Sequence, residues 1–158
     1  MKTASVTEIK NELITIPAPK LAELCLRLAK FKKENKELLT YLLFEDHDLQ
    51  GYLSSVKKEM DILFTEVNTS HLYFAKKTLR KILRICGKHI RYTGSKQAEA
   101  ELLLHFCISL KGSGIAFENS PVLVNLYQGQ LKKIRTVIEG LHEDLQYDYL
   151  KELKKISQ

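Results

Sequence analysis

The sequence predicts an all-α protein of six or seven helices, folded as a single domain over residues 1–158. Three observations carry this expectation. Apolar residues recur at three- and four-residue steps along nearly the whole chain, the repeat of a helix with one buried face. Seven glycines and three prolines are too few for a loop-rich β protein. No segment shows the strict apolar–polar alternation of a half-buried strand.

The elements follow in order. Ser5 and Glu8 have the spacing of a capping box, and Val6, Ile9, Leu13 and Ile16 then mark a short first helix. Pro17-Ala18-Pro19 ends it, and Pro19 suits the first turn of the next helix, where its missing N–H costs nothing. The second helix places Leu21, Leu24, Cys25, Leu28 and Phe31 on one face, with a break or bend at Lys32, Lys33 and Asn35. A third segment carries Leu38, Leu39, Leu42 and Leu43 and ends at Glu45-Asp46-His47-Asp48, whose Asp46 or Asp48 caps a fourth helix. That helix shows Leu49, Leu53, Val56, Met60, Leu63 and Val67, a narrow seam with alternating steps of four and three.

Asn68-Thr69-Ser70 supplies N-cap chemistry for a fifth helix running to about Tyr92, with Leu72, Leu79, Ile82, Leu83, Cys86 and Ile90 inward and a close crossing expected at Gly87. Thr93-Gly94-Ser95 reads as a stop and a new cap. The sixth helix holds Ala98, Leu102, Leu103, Phe106, Cys107 and Leu110 and closes at Gly112-Ser113-Gly114. Ser120-Pro121 is an N-cap followed by proline at the first helical position. The last stretch, Tyr127, Leu131, Ile134, Ile138, Leu141, Leu145 and onward, is one long helix or bends at Gly140. The topology stays open between a helical bundle and a short helix-pair superhelix, since no exact internal repeat is present.

A chain of 158 residues can bury a sizeable core without disulfides or metals. Its 44% hydrophobic and 28% charged residues are those of an ordinary globular protein. No apolar run reaches the roughly 18 residues of a membrane span. The opening Met1-Lys2-Thr3-Ala4-Ser5 leads into polar amphipathic sequence, so no secretory leader is expected and the expected location is cytoplasmic. Cys25, Cys86 and Cys107 are odd in number and widely spaced, which points to buried reduced thiols.

Charge supplies the one non-generic feature. The interval Val67–Ala98 contains eight basic residues and no acid, while the other 17 Lys and Arg face all 19 acids, leaving the rest of the chain at −2. Lys77, Arg80, Lys81, Arg84, Lys88 and Arg91 fall at three- and four-residue steps and share one helix face. Like charges at these spacings repel, so helix formation alone does not call for the stripe. An anionic partner accounts for it, with Tyr73, Phe74 and Tyr92 as stacking groups if that partner is a nucleic acid. A solvated face neutralised by Glu139, Glu143, Asp144 and Asp148 of the last helix is the competing explanation.

Other groups yield simpler readings. Glu45-Asp46-His47-Asp48 lacks the ligand spacing and central glycine of a calcium loop and reads as capping acids. The five histidines show no metal-binding spacing. His105 reads as a satisfied core histidine, and His89 as an addition to the basic face when protonated. Gly112-Ser113-Gly114 lacks the ending of a phosphate loop. No cofactor, metal or catalytic set is therefore expected. The sequence-level expectation is a non-enzymatic interaction or regulatory module that presents the basic face to an acidic protein, with a small nucleic-acid binder as the alternative. No membrane partner is expected, and the long seams of the fourth and last helices allow self-association.

Overall fold

The computed structural model describes residues 1–157 and contains eight α-helices, with no strand among the described residues. The chain divides into two compact units, Met1–Phe44 and Glu45–Gln158.

In the first unit, α1 (Val6–Thr15) starts as its sequence predicts. The Ser5 hydroxyl accepts the Glu8 N–H at 3.3 Å, and Glu8 returns by accepting the Ser5 N–H at 2.7 Å. Helix α2 (Ala18–Phe31) begins with Pro19 in its first turn and ends at Lys32, a single extended residue that reverses the chain into α3 (Lys33–Thr40). The Asn35 side-chain amide donates to the Leu28 carbonyl at 2.9 Å and ties the two helices at this hinge. A π-helical turn, Tyr41–Glu45, extends α3.

The expected burial of this region does not occur. No residue of α1, α2 or α3 is buried. Cys25, expected in the core, is exposed, and Leu28 and Phe31 stand 61% and 80% exposed. The periodicity is real, but α3 is the one helix substantially packed on α2. Two short helices can cover only one side of each other.

The second unit holds α4 (Leu49–Thr65), α5 (Leu72–Thr93), α6 (Lys96–Gly112), α7 (Pro121–Glu139) and α8 (Glu143–Ile156). Each helix packs on the next, and α6 also packs on α4 and α8. That neighbour pattern is the one stacked helix pairs produce. Helix α6 sits among the other four and is buried nearly all round, through Ala98, Leu102, Leu103, Leu104, Phe106, Cys107 and Leu110. Around it close Leu53, Val56 and Met60 of α4, Leu79 and Ile82 of α5, and Leu131, Ile134 and Ile138 of α7. The α4 and α7 seams thus pack inside the unit.

Local signals set most helix ends. Asp48 caps α4 by accepting the Gly51 N–H at 2.9 Å. Ser95 and Ser120 cap α6 and α7 through the Ala98 and Leu123 N–H groups. Gly94, at φ 59°, ends α5 in the left-handed conformation that glycine tolerates best. Asn68 behaves differently from expectation: it accepts the Ser70 and His71 N–H groups within the loop, and His71 takes the N-cap position. The last stretch breaks after Glu139, with Gly140 at the end of α7 and α8 starting past His142, which raises the helix count to eight. The Tyr127 hydroxyl then donates to the Ile156 carbonyl at 2.7 Å and holds the far end of α8 on α7. The close crossing expected at Gly87 is absent, because a side chain there would meet nothing nearer than the Arg91 guanidinium at 4.0 Å.

Candidate anion-binding face on helix α5

Helix α5 is sided. Ala75, Leu79, Ile82 and Cys86, spaced by four, three and four, are buried towards α4 and α6. Lys77, Arg80, Lys81, Arg84 and Arg91 lie on the opposite side and are exposed, while Lys88 of the same stripe is half-buried. At about 1.5 Å of rise per residue the stripe from Lys77 to Arg91 runs about 21 Å.

Among the described residues, none of the five exposed cations pairs with a carboxylate. The acids of the helices packed against α5 meet groups outside these five cations. Glu101 holds Lys57 at 2.9 Å, Glu99 holds Lys133 at 2.9 Å, Glu59 approaches His89 at 3.4 Å and Asp61 meets His105 at 2.6 Å. Glu139, Glu143, Asp144 and Asp148 of α7 and α8 do not pair with these five cations either; Asp144 lies 3.6 Å from His142 of its own helix start. A positive field therefore stands open to solvent along α5.

An open groove of about 360 Å³ runs along this face between the side chains of Tyr73, Lys76, Lys77, Arg80, Lys81 and Arg84. The Lys76 ammonium sits over the Tyr73 ring at 5.4 Å from its centroid, a cation–π contact. Tyr73 and Phe74 are 69% and 53% exposed and meet edge to face. Tyr92, the third candidate stacking group, is buried and unavailable. His89 does not extend the basic face, because its ring turns to α4 and hydrogen-bonds the Tyr52 hydroxyl at 2.7 Å.

Sequence reasoning missed a second polar site, across α4, α6 and α8. The Glu101 carboxylate accepts from Lys57, from the Tyr149 hydroxyl at 2.8 Å, from Gln97 and from Gln50. Burial opposes its ionisation, but the hydrogen bonds from Lys57, Tyr149, Gln97 and Gln50 outweigh that and hold the carboxyl below its ordinary pKa. Beside it, the half-buried His105 ring is satisfied by Asp61. The Tyr149 phenol is pushed up, first by burial and then by Glu101. The available signal was the polar series Gln97, Glu101, His105 at four-residue steps on an otherwise apolar helix.

Cys86 and Cys107 are both buried, and burial pushes each thiol up to about 12, the opposite of a reactive cysteine. At the loop before α4, Asp48 serves as a cap, and no cluster of three metal-ligating side chains occurs among the described residues. No helix among them is long and apolar enough to cross a membrane. No family model matches the chain, and no curated protein or solved structure matches it.

Proposed function

We propose that this protein is a non-enzymatic helical interaction module of the cytoplasm, and that the α5 face docks an acidic surface of a protein partner. One observation carries the reading: Lys77, Arg80, Lys81, Arg84 and Arg91 are exposed on one face with no carboxylate among the described residues to pair them. Repulsion along the stripe costs a few tenths of a kcal/mol per pair, and an anionic partner relieves it. The apolar side of α5 lies in the core, so the helix has no free apolar face to insert into a bilayer. The guanidinium forks of Arg80, Arg84 and Arg91 favour bidentate contacts with carboxylates.

A nucleic-acid partner is the second reading, and the exposed Tyr73–Phe74 pair beside the stripe favours it, since bases stack on such rings. Fluorescence anisotropy separates the two. A labelled Glu-rich peptide, single-stranded DNA and single-stranded RNA are each titrated with the protein at low and near-physiological salt. The proposal expects the peptide to bind in both buffers, and Arg80→Glu with Arg84→Glu to weaken it by roughly tenfold or more. Nucleic-acid binding that survives near-physiological salt and falls in the same variant supports the second reading. Unchanged binding by the variant refutes both.

A further inference from the structure

The first unit carries an interaction surface of different character, independent of α5. Its two packed helices leave a groove of about 570 Å³. Leu26 of α2, Leu39 of α3, and Leu43 and Phe44 of the π-helical turn line the apolar part. Leu26, Leu43 and Phe44 are 56%, 63% and 64% exposed. The turn contributes by its geometry: its wider winding brings Leu43 and Phe44 into the same lining as Leu39.

The rim is basic and its charge is polarised. Lys30, Lys32, Lys33 and Lys36 border the groove, and all four lie within one turn or so of the Lys32 hinge. Lys33 has Glu37 at 3.7 Å, an exposed pair of small energetic consequence. Among the described residues Lys30, Lys32 and Lys36 have no carboxylate partner. The groove thus has a cationic end at the hinge and an apolar end towards Phe44.

We infer that this groove docks an amphipathic helix of another protein, one with acidic residues at one end of an apolar stripe. The apolar part takes side chains at i, i+3 or i+4, and i+7, and the lysines take the acids. Acidic residues favour the first turn of a helix, so the ligand lies with its N-terminus at the hinge. A concave channel between two helices suits a cylinder better than a flat lipid surface.

The test is a selection of helical peptides from a random display library on the full-length chain at near-physiological salt. The inference expects enriched peptides with that stripe and an acidic N-terminal turn. Their affinity should fall by roughly tenfold or more for Lys32→Glu/Lys33→Glu/Lys36→Glu and for Leu43→Asp/Phe44→Asp. Both variants change exposed side chains, and circular dichroism checks that each stays folded. Arg80→Glu/Arg84→Glu should bind these peptides as the parent does, which separates this groove from the α5 face. Enrichment without acids or without the apolar spacing, no enrichment, or loss of binding in the α5 variant instead overturns the inference. So does Leu43- and Phe44-dependent binding to phosphatidylserine vesicles in place of peptides.

Discussion

Helices α2 and α6 are both leucine-rich, and they end in opposite environments. Helix α6 buries eight side chains, and α2 buries none. Intrinsic apolarity does not separate them; the number of neighbouring helices does. Helix α6 is packed by α4, α5, α7 and α8, whereas α2 has α3. An apolar face becomes core when other elements close over it. When none does, the same pattern is a surface with unsatisfied affinity for a partner.

Thiol chemistry gives the largest contrast. Cys25 on α2 is exposed, while Cys86 and Cys107 are buried with their thiols pushed up to about 12. Alkylation of the native protein, followed by mass spectrometry, should label Cys25 at once. The other two should react about a thousandfold more slowly or less, since they wait for opening of a stable unit. Equal rates would mean that the α6 side of the comparison is not a closed core.

Paired truncations come next. Phe106→Ala on α6 should cost about 3–5 kcal/mol in urea unfolding, the usual loss for a fully buried ring. Phe31→Ala on α2, at 80% exposure, should stay within about 0.5 kcal/mol. A large loss at Phe31 would show that its face is covered after all.

A smaller effect sharpens the account of how α6 is held. Glu101→Gln should cost about 1–3 kcal/mol near neutral pH, because the charged acceptor of four donors is lost. The folded pKa of Glu101 lies below the unfolded one, so the carboxylate's stabilisation is complete above the ordinary glutamate range, about pH 4.3. It fades as the pH falls through the folded value. Urea unfolding of parent and variant along a pH series should therefore show the gap narrowing in acid. A gap that widens there would contradict the assignment.

Much of this was legible beforehand because it depends on near neighbours in sequence. The Ser5–Glu8 box, the Ser95 and Ser120 caps and the Gly94 stop are contacts across three or four residues, and a sequence displays them directly. The stripe on α5 was legible for the same reason, since helical spacing fixes which side chains share a face. Its environment was not. That Tyr92 is buried, that His89 turns to Tyr52 and that Glu139, Glu143, Asp144 and Asp148 do not pair with Lys77, Arg80, Lys81, Arg84 or Arg91 are facts about which helices meet.

The Glu101 site shows the limit most clearly. One donor, Gln97, is a turn away on the same helix, but the others come from positions 50, 57 and 149, which no local pattern connects to Glu101. By itself the sequence determined the helical class, most helix ends and the common face of the α5 cations, because each follows from the backbone geometry of a few consecutive residues. The tertiary structure alone decided that α6 is core and α2 surface, and that, among the described residues, Lys77, Arg80, Lys81, Arg84 and Arg91 have no carboxylate partner. Burial and ion pairing are sums over neighbours in space, and the chain brings those neighbours together from far apart.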